Sequence, residues 1–519
     1  MRAAHSFHRF LVWIFAFALA ANCAATTIPD GVVDPTFGAN GLVYLGWDAD
    51  LNVTAYDVAI AVLAPTDGSV ILVGNGTDAG ASYGSYSAIC IAKLTRAGTF
   101  DTSFGDAATP GQTKIHGGGI STQIAGTSAA LQSDGKIVIA GNVYFPGTGK
   151  QMAAVWRLNA DGSSDTNFGF DGATLVDRNI GNQFDSASAV AIVKGVQGTP
   201  YAALEGRIVV AGSIDFSPTI VIASSWMFQL DTSGIPVPND PVTGYLGSNS
   251  FYWTGIDCDD GRHDQTFSAI HVSVQPDTGT MTYYLAGNCP PRPNTGRIPQ
   301  PYIAAVDPKL NLIPSFGNSD NGISQVSYID SLHDYRNATI TSLDVDPGGR
   351  RIVYVGNYFG NGDSRVLTGA LNAADGHFDT AWSGNGAAIL SARGSNSQAY
   401  GILINPTRGS YVTNASEIVA GQDACLPPYV CALPQGTFFS ATQLSEGTII
   451  SYCGATGECA LAFPGETTQG AYAIAYTQGF KVLLAGYVKF GARSDFAVMR
   501  LQGEEIFFNG FGHPSQDFR

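Results

Sequence analysis

The groups in this sequence that could perform acid–base or metal chemistry are its carboxylates and histidines. The densest acidic cluster is Asp257, Asp259 and Asp260, with Asp264 close behind. Hard oxygen ligands at such spacing suit a calcium ion. A second run, Asp48, Asp50 and Asn52, has the first spacings of a calcium loop. Val53 stands where the turn glycine belongs, and no Glu holds the twelfth place. NSDNG (318–322) reads first as an Asn/Gly turn. Behind the leader the histidines are His116, His263, His271, His333, His377 and His513. Three of them, His116, His263 and His333, fall in comparable loops and could converge on a common point. Pairs of carboxylates could equally serve glycoside cleavage, which needs two at a set separation. Nothing in the spacing singles such a pair out. GASYG (80–84) matches GxSxG around Ser82. A nucleophile elbow needs a strand before it and a helix after it, and here the match lies in a polar loop. HExxH, a phosphate loop and GxGxxG after a strand are absent.

The cysteines supply a different chemistry. No CxxC occurs, which argues against structural zinc. Close spacing suggests Cys425–Cys431 and Cys453–Cys459 disulfides, and Cys258–Cys289 joins neighbouring loops. Cys90 sits within an apolar run and reads as a small buried hydrophobe. Disulfides fit an oxidising compartment. The N-terminus agrees: Arg2, His5, His8 and Arg9 precede the apolar run Phe10–Ala21, and small residues follow in ANCAAT. This is the pattern of a signal peptide over residues 1–25, cleaved between about Ala20 and Thr26. The apolar run is too short to span a bilayer. An exported chain, periplasmic or extracellular and not integral to a membrane, is expected. Cys23 leaves lipidation open, although Asn22 fits it poorly.

Loops that carry such groups must be held by elements, and these repeat. A short apolar run enters from a turn and ends in glycine seven times, as in DGSVILVG (67–74), DGKIVIAG (134–141) and EGRIVVAG (205–212). The final glycines are Gly74, Gly141, Gly212, Gly287, Gly356, Gly421 and Gly486, spaced by 65 to 75 residues. An alternating run ending near Leu follows each, then a turn with an aromatic plug, as in DTSFG (101–105), DTNFG (165–169) and DTAWSG (379–384). One strand precedes each glycine run and one follows each plug. Each repeat therefore holds four strands, A to D, the size of a propeller blade. Such a sheet cannot bury both faces alone, so the repeats must stack.

The units DGKIVIAG and RLNADGSSDTNFG (157–169) resemble the delta-60 repeat family of bacterial extracytoplasmic proteins. The resemblance covers most of residues 31–512 and is strongest in the first two repeats. It implies a β-propeller and no particular activity. The chain opens with DPTFGANGLVYLGW (34–47), a plug and D strand with nothing before them, and closes one D strand short. The expected fold is thus an all-β, seven-bladed β-propeller of four-stranded blades. It fills residues 26–519 as a single domain and is closed by the N-terminal strand pairing into the last blade.

Strand order sorts the loops onto two faces. The A–B and C–D turns are short and stereotyped. The B–C loops are long and irregular, and the D–A loops carry charge and imidazole. Variable loops on a rigid scaffold are where binding sits. The candidate ligand face therefore holds His116, Asp177, Asp185, His263, Asp264, His333 and Asp334. The net charge of −16 excludes nucleic acid as a natural partner. The expected function is a non-enzymatic binding or scaffold propeller for a protein, glycan or cell-surface ligand. The rivals are a polysaccharide hydrolase or lyase with acids or histidines at the axis, and a purely structural module. Calcium is the one cofactor in view.

Overall fold

The computed structural model describes most of residues 33–501. Residues 1–32 and 502–519 lie outside the description, as do connecting segments that include 48–56, 77–87, 177–183, 254–265, 290–299, 405–415, 424–435 and 444–457. The described residues form an all-β propeller. The A strands run Val58–Leu63, Gln123–Leu131, Phe184–Ile192, Thr266–Val274, Ala338–Val345, Gln398–Ile404 and Gln469–Tyr476. They surround a central channel. In each repeat A pairs with B, B with C and C with D, always antiparallel.

The expectation of seven separate blades is overturned. Counted as hydrogen-bonded sheets, the propeller has six blades: five sheets of four strands and one of eight. The eight-stranded sheet takes in the second and third repeats. They join where Phe184, at the start of one A strand, meets Gln151 of the preceding C strand in parallel. Gln151 Nε2 also donates to the Asp185 carbonyl at 3.2 Å. Repeat counting in sequence reports glycine-ended strands, and it cannot register a hydrogen bond that fuses two of the sheets.

Each signature is explained by a contact. Every A strand carries a β-bulge against its B strand, at 59/61, 126/128, 187/189, 267/269, 340/342, 399/401 and 471/473. The bulge turns an A-strand carbonyl onto the glycine that ends the sequence motif. A Cβ on Gly141 would lie 2.0 Å from the Ala125 oxygen, and one on Gly356 would lie 1.8 Å from the Thr339 oxygen. Only glycine leaves room.

The plug explains a second motif. Phe37, Phe104, Phe168, Phe316 and Trp382 are fully buried or nearly so. Phe104 lies under Gly162, and Phe168 under Gly234, each the C–D turn glycine of the next repeat. The plug glycine then donates across the joint: Gly105 N to Asp161 O at 2.8 Å and Gly169 N to Ser233 O at 2.8 Å. The plug aspartate binds the cation near the end of the C strand. Asp165 takes Arg157 at 2.8 Å, and the Arg157 guanidinium stacks 4.5 Å over Phe168. On the A–B and C–D face the repeated residues are therefore engaged in joining neighbours.

Ring closure uses the same parts from opposite ends of the chain. Leu42–Leu45 pairs antiparallel with the C strand Arg493–Leu501, matching Leu42 to Met499 and Leu45 to Phe496. Asp34, fully buried, accepts from Arg500 Nε at 2.7 Å and Lys481 Nζ at 2.5 Å. Arg500 lies 4.4 Å over the Phe37 ring and donates to the Arg96 carbonyl. Burial raises the Asp34 carboxyl, but the hydrogen bonds from Lys481 and Thr36 and the charge of Arg500 outweigh it, holding it far below the ordinary carboxylate range. Among the described residues, no helix is long and apolar enough to cross a membrane.

Candidate functional site

The bulges place one extra residue of each A strand at the axis. These are Ile60, Thr127, Ser188, Ser268, Thr341, Tyr400 and Tyr472, and all line a channel of about 280 Å³. An unpaired strand residue needs another partner for its backbone and side chain. Three hydroxyls supply it by bridging repeats. Thr127 Oγ1 donates to Ala140 O of its own B strand and Ala187 O of the next A strand, at 3.1 and 2.7 Å. Ser268 reaches Ile340 O at 2.8 Å, and Thr341 reaches Ala399 O at 2.8 Å.

An asparagine just after the B-strand glycine serves each of these joints, and also the one between the first and second repeats; Asn142 accepts from Ala187 N at 3.0 Å. Asn75 accepts from Gly126 N at 2.7 Å and donates to Gly126 O at 2.9 Å. Asn288 holds Ile340 in the same two-point way, at 2.7 and 3.0 Å. Asn357 accepts from Ala399 N at 2.8 Å. The carboxamide substitutes for a peptide group beside the bulge. The letters were visible as the Asn of VGN and AGN, but a period-two reading stops at the glycine and misses them.

The channel wall is divided. On the side of the sixth and seventh repeats it is aromatic. Tyr400 and Tyr472 meet edge to face, with centroids 4.5 Å apart, and Tyr487 stacks behind Tyr472 at 5.7 Å. Tyr400 hydrogen-bonds Gln398. Burial, and then the neighbouring Tyr487, push its phenol up, so it stays protonated at neutral pH. On the side of the second to fifth repeats the wall is made of small hydroxylic and aliphatic residues. Ser188 and Ser342 line it, and among the described residues neither hydroxyl has a hydrogen bond. Among the described residues, none that lines this channel is charged. The bulge residues occupy the third to fifth positions of their A strands, so the channel lies along the middle of the ring.

The charged candidates are placed elsewhere. His116 ends the outer strand Gln112–His116, is exposed, and lines a groove of about 910 Å³ along the first three repeats, not the axis. Asp185 is buried in the third A strand. His333 and Asp334 form a short pair with Tyr328–Asp330, between the fourth and fifth repeats. Asp177, Asp257, Cys258, Asp259, Asp260, His263 and Asp264 lie outside the described residues, as do Cys425, Cys431 and Cys453. Cys459 pairs with Phe439 on an outer strand, and Cys289, buried, ends a B strand. Cys90 is free and fully buried. Among the described residues no three His, Cys, Asp or Glu gather to hold a metal. The structure does bring together one pair that spacing gave no reason to join. His271 Nδ1 lies 3.1 Å from Asp344 across two A strands, and Asp344 also accepts from Ile404 N of the next repeat at 2.9 Å.

Residues 66–104 and 132–168 match the model of a family described as "Domain of unknown function (DUF5122) beta-propeller". No curated protein sequence matches the chain. Among solved structures, the fold is similar to Sqt1 from Chaetomium thermophilum, at 11% identity over 86% of this chain and 96% of that one, with a TM-score of 0.39. It is similar to the GH93 alpha-L-arabinofuranosidase of Fusarium graminearum in complex with arabinobiose, at 9% identity over 73% and 93%, TM-score 0.40. It is also similar to Drosophila Plexin A in complex with Semaphorin 1b, at 8% over 89% and 86%, TM-score 0.36. These likenesses concern fold alone.

Proposed function

From the premise that this chain is a β-propeller repeat protein, we propose that it is an exported, non-enzymatic binding propeller. It engages a protein, glycan or cell-surface ligand through the face of the B–C and D–A loops. The observation that carries this reading is the contrast between the two faces. On the A–B and C–D side the repeated residues are used in joints: Asp165 with Arg157, Phe168 under Gly234, Gly105 on Asp161. The B–C and D–A connections of the other side differ in length and composition along the sequence, and the described residues that line the axial channel are uncharged. A lining without carboxylate or imidazole favours binding there over acid–base chemistry. Export rests on the leader-like residues 1–25 and on the cysteine content. Cys258–Cys289 is the disulfide this reading favours. Calcium at Asp257, Asp259 and Asp260 belongs to the same face.

The test probes the full-length secreted chain on arrays of glycans and of extracellular proteins. A second chain has residues 77–87 and 290–299 replaced by short Gly-Ser links. Interactions of the full chain are expected to be lost in the trimmed one, at unchanged melting temperature. If every interaction survives trimming, the face assignment fails.

A further inference from the structure

The two walls of the axial channel differ in a way that selects a ligand. We propose that the channel takes an uncharged, hydroxyl-rich ligand, a neutral sugar residue, seated on Tyr400 and Tyr472. This deepens the binding reading and rests on it.

Three features converge. First, the lining is polar without charge. An ionised ligand would lose hydration and find no counter-charge, at a cost of several kcal/mol. An ion is therefore selected against, and a polar neutral molecule is not. Second, an aromatic wall faces a hydroxylic one. Tyr400 and Tyr472 offer ring surface, and Tyr487 behind Tyr472 holds that ring in place. A pyranose presents C–H groups on its faces and hydroxyls around its rim. The faces suit ring surface, and the rim suits groups that both donate and accept. Ser188 and Ser342 are such groups, with no hydrogen bond of their own among the described residues. Thr127, Ser268 and Thr341 spend their protons on carbonyls of neighbouring repeats. These hydroxyls retain acceptor capacity only, a fixed pattern against which sugar hydroxyls can donate. Third, size limits the ligand. A channel of about 280 Å³ falls just below the roughly 300–1,000 Å³ typical of small-molecule sites. It admits one ring, so a longer glycan would enter by a terminal residue.

The aromatic residues occur in only two of the seven bulges, next to each other. A purely structural bulge is satisfied by Thr or Ser, as the second, fourth and fifth repeats show. Half-buried tyrosines there are not required by the joint.

Saturation-transfer NMR tests this, with the intact chain and a panel of methyl glycosides in the gluco, galacto, manno, xylo, arabino and fuco series. Methyl glucuronide is the charged control. At least one neutral glycoside is expected to bind, with the glucuronide at least ten times weaker. Tyr472→Ala and Tyr400→Ala are each expected to weaken it tenfold or more. Tyr472→Leu keeps bulk without an aromatic face, so it covers the case in which the alanine chain melts early. Absence of binding by every neutral glycoside to 50 mM overturns the proposal. So does equal binding of the glucuronide, or binding unchanged in Tyr472→Leu and Tyr400→Ala. If a ligand found on the arrays is lost on loop trimming while no glycoside binds, the face reading stands and the sugar alone is removed.

Discussion

Asp34 concentrates the residue-scale logic of this chain. Its carboxylate is buried between two cations near the far end of the sequence, so one side chain ties residue 34 to residues 481 and 500. A carboxyl whose folded value lies below its unfolded value binds fewer protons when folded. Its contribution is complete above the unfolded value of about 3.9 and is lost progressively as pH falls towards the folded one. Asp34→Asn keeps the shape and removes the charge, leaving Arg500 buried without its partner. The expected loss is about 3 kcal/mol near neutral pH, read by urea denaturation. The difference from the parent should shrink as pH falls from 4 to 2. A constant difference across that range would assign the effect to packing rather than charge. Much at this scale was legible in the letters. DPTFG carries the same Asp and Phe as DTSFG and DTNFG, which marks them as parts of one device. The partner was not legible, because no spacing links Asp34 to Arg500 when the ring that joins them is closed by tertiary structure. The Tyr400–Tyr472 pair escaped for the same reason: each is an ordinary strand residue until the bulges bring both to the axis.

At the scale of the element, the recurring unit is a bulged hairpin, not a plain one. Period-two alternation locates the strands but assigns residues at the bulge to the wrong face, since one extra residue reverses the alternation. The glycine ending each B strand was the visible trace of that bulge. Its cause is steric rather than conformational: a carbonyl occupies the space of a side chain. Gly141→Ala should therefore force the Ala125 carbonyl outward and disturb the joint at Asn142, which accepts from Ala187 N at 3.0 Å. A loss of about 3 kcal/mol is expected, at the upper end for overpacking. Gly147→Ala, where a Cβ would meet nothing within 4 Å, serves as the control. Denaturation curves that coincide for the two variants would remove the steric account. The plug shows where sequence reading is most secure. A buried aromatic with a following glycine needs both letters, and each contacts the next repeat. The sheet count shows where it is least secure, since the bridge from Phe184 to Gln151 fuses two repeats without altering either motif.

The molecule as a whole depends on how its ends meet. Every other repeat draws its D strand from the residues that directly follow its C strand. The last one takes Leu42–Leu45 from the opposite end of the described chain. Three independent contacts reinforce this pairing: Asp34 N donates to Arg500 O at 2.8 Å, Arg500 N donates to Gly41 O at 2.9 Å, and Trp47 meets Phe496 edge to face at 5.5 Å. Gly38 N also donates to Ala97 O in the first repeat, so the segment bridges both sides of the seam. Without it, the C strand Arg493–Leu501 would present an open edge, and Phe37 would be missing beneath Gly98. A ring of stacked repeats is stable through its neighbours, so an open seam weakens both units that flank it. Deleting residues 26–47 should therefore abolish the single cooperative melting transition and expose an edge that promotes association. Supplying residues 26–47 as a separate peptide should restore the transition in a concentration-dependent way, because binding to the folded form alone stabilises it by mass action. An unchanged melting curve after the deletion would show that the ring does not need its seam. A loss that the peptide cannot repair would place the role of this segment in folding rather than in closure.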